Sequence, residues 1–67
     1  MSIVKVVEVL AESEKSWRDA ADNAVKEASK TVRNIRHIYI ENMQGIVKGD
    51  EIVKYRVNAK VSFVVDD

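Results

Sequence analysis

The sequence predicts an α+β domain of order β-α-β-β, a three-stranded antiparallel sheet partly wrapped around one helix. Three observations predict it. Across residues 16–35, Trp17, Ala20, Ala21, Ala24, Val25, Ala28, Val32 and Ile35 recur at the three-to-four spacing that lays them on one helical face. Upstream stands a β-branched run, and downstream of Ile35 the period drops from helical to alternating.

The first strand covers residues 3–10, with Ile3, Val4, Val6, Val7 and Val9 interrupted by Lys5 and Glu8. Valines of both parities imply that both faces of this strand are covered, one by the helix and the other by a neighbouring subunit. A polar connection over 11–15 leads to Ser16, a hydroxyl N-cap with the carboxylate of Asp19 three residues on, near the helix's positive end. Trp17, the only tryptophan, is in phase with the alanine stripe, which makes it a core anchor.

The second strand is predicted over 36–44, with Ile38 and Ile40 toward the helix and His37, Tyr39, Glu41 and Met43 on the opposite side. Lys48-Gly49-Asp50 supplies the positive-φ residue of a hairpin turn, and Gly45 stands ready for a bulge before it. The third strand covers 51–65. Tyr55, Val57, Ala59, Val61 and Phe63 form its apolar parity, and Arg56, Asn58, Lys60, Ser62 and Val64 the other. The sheet face away from the helix then bears His37, Tyr39, Glu41, Met43, Arg56, Asn58, Lys60 and Ser62. Such a mixed polar and aromatic surface suits a wet interface or a ligand site.

With 67 residues the chain is read as one domain, 1–67, and with neither Cys nor Pro it has no disulfide or thiolate chemistry. A formal net charge of +0, with Lys and Glu interspersed, argues against nucleic acid as a partner. No apolar run approaches the roughly 20 residues that span a bilayer, and no secretory layout opens the chain, so no membrane partner and a cytoplasmic location are expected. Domains this small bury only about 60% of their unfolded surface, which leaves self-association as the available staple. The single histidine has no serine or carboxylate partner set by local spacing, and no phosphate-cradling glycine loop, EF-hand loop or nucleophile elbow is present, so no catalytic residue is assigned and no enzyme is expected. Glu41, Asp50, Glu51, Asp66 and Asp67 are the candidate oxygen ligands should an oligomer axis gather carboxylates around a hard cation.

The β-α-β-β order, together with Lys5-Val6-Val7-Glu8-Val9, Ser16-Trp17, Ala20-Ala21, Ala24-Val25, Ala28-Ser29-Lys30-Thr31 and Tyr55-Arg56-Val57, resembles the dodecins over nearly the whole chain. The resemblance implies a hollow homododecamer that stores rather than converts its ligand, with flavin pairs at subunit interfaces near two-fold axes. In the flavin-binding members a Trp early in the second strand stacks on the isoalloxazine ring and a Gln in the third strand bonds its edge. Carried onto this chain, those positions are His37 and Arg56, and both depart from the pattern. Imidazole presents a smaller π-face than indole, offset in part by a hydrogen bond or, when protonated, a cation–π contact. Arg56 donates but cannot accept from the flavin N3–H as a Gln carbonyl does, and with Lys60 it favours a phosphate-bearing ring such as FMN over riboflavin. Tyr39 and Gln44 border the expected pocket. The same two departures support the alternative implied by the resemblance, a structural or divalent-cation-binding shell that has lost flavin binding.

Overall fold

The computed structural model describes residues 3–65, so Asp66 and Asp67 lie outside the described residues. Four elements follow one another: β1 (Ile3–Ser13), α1 (Trp17–Ala28), β2 (Ile35–Lys48) and β3 (Glu51–Val65). The sheet order is β1-β3-β2 with both pairings antiparallel. The strand latest in sequence is therefore the central one, and it pairs along its length with both edges.

The predicted parity of β3 holds. Val57, Ala59 and Val61 are buried beneath the helix, against Ala20, Ala24 and Ala28 of α1. Alanine on both layers lets helix and sheet backbones approach closely, so the core is thin and tolerates little added volume. No helix among the described residues is long and apolar enough to cross a membrane.

The helix is shorter than its apolar stripe. It begins after Ser16, whose Oγ accepts from the Asp19 N–H at 2.9 Å, but it ends at Ala28 rather than continuing to Ile35. Hydroxyls compete for its last carbonyls: Ser29 Oγ donates to the Lys26 carbonyl at 2.8 Å and Thr31 Oγ1 to that of Ala28 at 3.3 Å. Asn34 then takes a left-handed φ of 62°, a conformation asparagine tolerates, and turns Ile35 into register with Phe63. Val32 and Ile35 keep the helical phase in sequence while the sheet claims their backbone.

The outer strands are longer than predicted for the same reason. Ala11, Glu12 and Ser13 extend β1 by pairing with Val57, Arg56 and Tyr55, and β2 continues through Gly45 and Ile46 to Lys48. The turn falls where the glycine predicts, with Gly49 at φ 63°. Gly45 stays in register opposite Tyr55; the irregularity near the turn lies between Ile46 and Val47.

Two further shifts fall in β2, between Ile35 and His37 and between Ile40 and Asn42. The second inserts Glu41 as an extra residue and reverses the alternation beyond it. Met43, expected opposite Ile38 and Ile40, instead lies opposite buried Val57 on the helix side, while Asn42 and Gln44 face Asn58 and Arg56 on the open side.

Candidate functional site

The helix-free face of the sheet is organised in rows across the three strands. From one end they run Val6, Ser62 and His37; Glu8, Lys60 and Tyr39; Leu10, Asn58 and Asn42; and Glu12, Arg56 and Gln44. His37, Tyr39, Arg56 and Gln44, the four residues singled out from sequence, all lie on this face, but they form two groups.

His37 and Tyr39 make the first group. Both are exposed, Tyr39 at 65%, and they stand two residues apart on one side of β2, presenting two ring faces to solvent. Beside them Lys60 Nζ lies 2.7 Å from Glu41 Oε1, so the residue extruded by the bulge becomes the counter-ion of the central strand's lysine. The Glu41 carboxylate holds the Lys60 ammonium above its ordinary range.

Arg56 and Gln44 make the second group, with Glu12. Arg56 donates from Nε at 2.8 Å and from a terminal nitrogen at 2.6 Å to the same Glu12 oxygen, and from its other terminal nitrogen to Gln44 Oε1 at 3.5 Å. Bonding to Arg56 keeps the Glu12 carboxyl below its ordinary range. Gln44 Nε2 in turn donates to Asn42 Oδ1 at 3.4 Å. Sequence reasoning missed Glu12 because it placed residue 12 in a connection; only the pairing of Glu12 with Arg56 across β1 and β3 reveals it.

The helix braces this row from behind. Trp17 Nε1 donates to the Gln44 carbonyl at 3.0 Å and Asn23 Nδ2 to the Glu12 carbonyl at 3.1 Å, so one side chain of α1 reaches each edge strand at the row of Arg56. Trp17 also meets Tyr55 edge to face, centroids 4.8 Å apart at 77°. Trp17 is half-buried and stands at the end of the alanine core rather than within it, where the sequence reading put it, and it adds a hydrogen bond to the backbone of a candidate site residue. Ser13, 7% exposed, ties the strand end to the helix cap: its Oγ donates to Asp19 Oδ2 at 2.6 Å and accepts from the Lys15 N–H at 2.9 Å.

The two groups are separated along the sheet. Along β3, Ser62 beside His37 stands six residues from Arg56 and Lys60 beside Tyr39 four, roughly 20 Å and 13 Å at about 3.3 Å per residue. A cleft of about 470 Å³ lies elsewhere, between the loop after α1 and the end of β3, lined by Thr31, Val32, Arg33, Phe63 and neighbours, and none of the four candidates lines it. Among the described residues no three His, Asp or Glu side chains gather as a metal-holding group.

Comparison with known proteins agrees with this architecture. The family model described as Dodecin matches residues 3–66. The chain belongs to the dodecin family. It is 33% identical over 63 residues to a protein named calcium dodecin from Mycobacterium tuberculosis (strain ATCC 25618 / H37Rv), covering 94% of this chain and 89% of that one. A solved structure of the M. tuberculosis calcium dodecin, described as calcium-chelating with a novel calcium-binding site, superposes with a TM-score of 0.80 at 31% identity over 91% of this chain and 87% of that one. The fold is shared still more closely with a tryptophan-to-phenylalanine mutant of the T. thermophilus dodecin, TM-score 0.93 at 24% identity with full coverage of both chains. A dodecin from Streptomyces davaonensis gives 0.92 at 23% identity, covering 98% of this chain and 97% of that one.

Proposed function

We propose that this dodecin-family chain is a non-catalytic binding protein that self-assembles, as a homododecamer, and holds a flavin, riboflavin or FMN, on its open sheet faces where subunits meet. The observation that carries the reading is the division of the candidate residues into two groups on one face. His37 and Tyr39 offer ring surfaces, whereas Gln44 and Arg56 offer a hydrogen-bonding edge, roughly 20 Å from His37 and 13 Å from Tyr39 by strand geometry. A ring stacked on His37 lies too far from Arg56 and Gln44 of its own copy to meet them, so the first group comes from one copy and the second from another, which makes assembly a condition of binding.

Gln44 gives that edge what Arg56 lacks. Its amide both donates and accepts, and it lies opposite Arg56 in the register. The amide that the flavin-binding family pattern places in the third strand is thus supplied here from the second. Stacking on imidazole and phenol is weaker than on indole, so affinity is lower than a tryptophan at position 37 would give. The mechanism is confinement of the ring with no turnover, consistent with a row of residues engaged with one another rather than a base poised beside a nucleophile.

The likeness to the M. tuberculosis calcium dodecin favours a second reading, a shell that binds a divalent cation. Any such site in this chain gathers carboxylates from several copies, with Glu41, Asp50 and Glu51 as the described candidates.

One experiment separates the two. Purified protein and His37→Trp are titrated with riboflavin and FMN by fluorescence quenching, with particle mass from light scattering and melting curves taken with and without Ca²⁺. Saturable quenching that tightens in the tryptophan variant on a twelve-subunit particle supports flavin confinement. An assembly of that mass that quenches nothing and melts higher with Ca²⁺ overturns it in favour of the cation shell, because a ligand that binds only the folded state raises its stability by mass action.

A further inference from the structure

Both cations at the middle of the open face carry a carboxylate. Lys60 is met by Glu41 and Arg56 by Glu12, the latter pair half-buried, with side-chain exposures of 34% and 39%. An arginine on an open face otherwise draws phosphate, since its planar fork matches two oxygens of an anion. Here the fork is filled from within the chain. Nε and one terminal nitrogen already point at Glu12, and the other terminal nitrogen points at Gln44. Glu12 is itself held in place by the bond from Asn23 to its backbone carbonyl and by its pairing with Arg56 across the strands. An incoming phosphate therefore finds the paired edge of the guanidinium, Nε and one terminal nitrogen, already turned to a carboxylate.

We propose that Glu12 sets the specificity of this face by occupying Arg56, so that a ligand's phosphate gains nothing there and uncharged ligands are preferred over anionic ones. The two N–H groups that Arg56 keeps free of those three bonds, of the five a guanidinium carries, serve a neutral carbonyl edge without competing with Glu12 for charge. The lowered titration range of the Glu12 carboxyl agrees, since it keeps the group ionised, and Arg56 neutralised, at any pH near neutral. The identity of the uncharged ligand rests on the flavin reading above, whereas the preference against anions does not.

The test uses inorganic phosphate and the riboflavin and FMN pair, which differ only by a phosphate. In the wild-type assembly the Arg56 Nε–H resonance is expected to stay in place through a phosphate titration, and riboflavin to bind at least as well as FMN. Glu12→Gln keeps the shape of the side chain and removes its charge. In that variant the resonance is expected to shift saturably with phosphate, and FMN affinity to rise about tenfold over riboflavin, the scale of one charge-assisted hydrogen bond at a half-exposed position. Glu12→Asp provides a second variant that keeps the charge, and it should behave as wild type toward phosphate. Adding Arg56→Gln to Glu12→Gln should abolish the gain. A phosphate response in the wild-type protein equal to that of Glu12→Gln, or none in either, overturns the proposal. Absence of flavin quenching throughout, with phosphate taken only by Glu12→Gln, removes the flavin reading and leaves the preference against anions standing.

Discussion

Trp17 joins the fold to the candidate site with one side chain, because its indole both packs against Tyr55 and bonds the carbonyl behind Gln44. Trp17→Phe keeps a ring and loses the donor. It should cost about 1 kcal/mol from the hydrogen bond plus part of the lost area, read as a lower urea midpoint by circular dichroism. An unchanged midpoint would mean that the bond to Gln44 adds nothing. The ion pairs give a pH signature of known sign. The folded-state pKa of Glu12 lies below the ordinary value of 4.5, so its contribution is complete above that value and is lost as pH falls through the folded one. Lys60 lies above its ordinary 10.5, so its contribution is complete below 10.5 and is lost as pH rises through the folded value. Melting curves across pH should show the acid limb flattened in Glu12→Gln and the alkaline limb flattened in Glu41→Gln, each leaving the other limb as in wild type.

At the scale of elements, the thin alanine layer between α1 and β3 limits what the helix can carry. Ala20 and Ala24 are 0% exposed, as are Ala59 and Val61 beneath them. Ala24→Leu forces three extra heavy atoms into that contact and should destabilise by about 1–3 kcal/mol despite its greater apolarity. Ala21→Leu, on the partly exposed flank of the same helix, should be close to neutral, so equal losses at both positions would argue against the close approach. The hairpin makes a separate demand. Gly49 occupies the left-handed region at φ 63°, and nothing lies within 4 Å of the position its Cβ would take, so Gly49→Ala should cost about 1 kcal/mol through backbone strain alone. At Gly45 the limit is space instead: an added Cβ comes within 3.3 Å of Ile52 Cγ2.

The whole molecule is long and thin. Its extents are 52 × 19 × 13 Å and its radius of gyration is 13.7 Å, against about 11 Å for a compact chain of this length. It exposes 5044 Å², where a compact monomer of the same mass exposes about 4,300 Å². Much of the excess is apolar: Val4, Val6 and Leu10 line the open face of β1 at 64%, 56% and 61% exposure, and Val47 and Ile52 flank the hairpin tip. A surface of this kind marks a contact with another chain, so the melting temperature should rise with protein concentration and Val6→Lys with Leu10→Lys should lower both the particle mass and that dependence. A monomer with a concentration-independent melt would remove the interface on which the proposed binding depends.

The element order, the N-cap at Ser16, the turn at Gly49 and the helix-facing parity of β3 are legible in the residues themselves, because each follows from local chemistry: a hydroxyl before a helix, a glycine able to take positive φ, a period of two. The end of the helix was not legible, since Val32 and Ile35 continue the apolar stripe while the pairing of Ile35 with Phe63 decides their backbone. His37, Tyr39 and Arg56 could be assigned to the open face from alternation alone. Gln44 reached that face only through the bulge at Glu41, and Glu12 joined Arg56 only through pairing between strands 44 residues apart in sequence. Local periodicity is a property of the chain, and the sequence by itself determined the elements and most of their faces. Register and contact across strands depend on which backbone groups find partners once the sheet closes, and so only the tertiary structure decided that Gln44 and Glu12 join Arg56 on the open face.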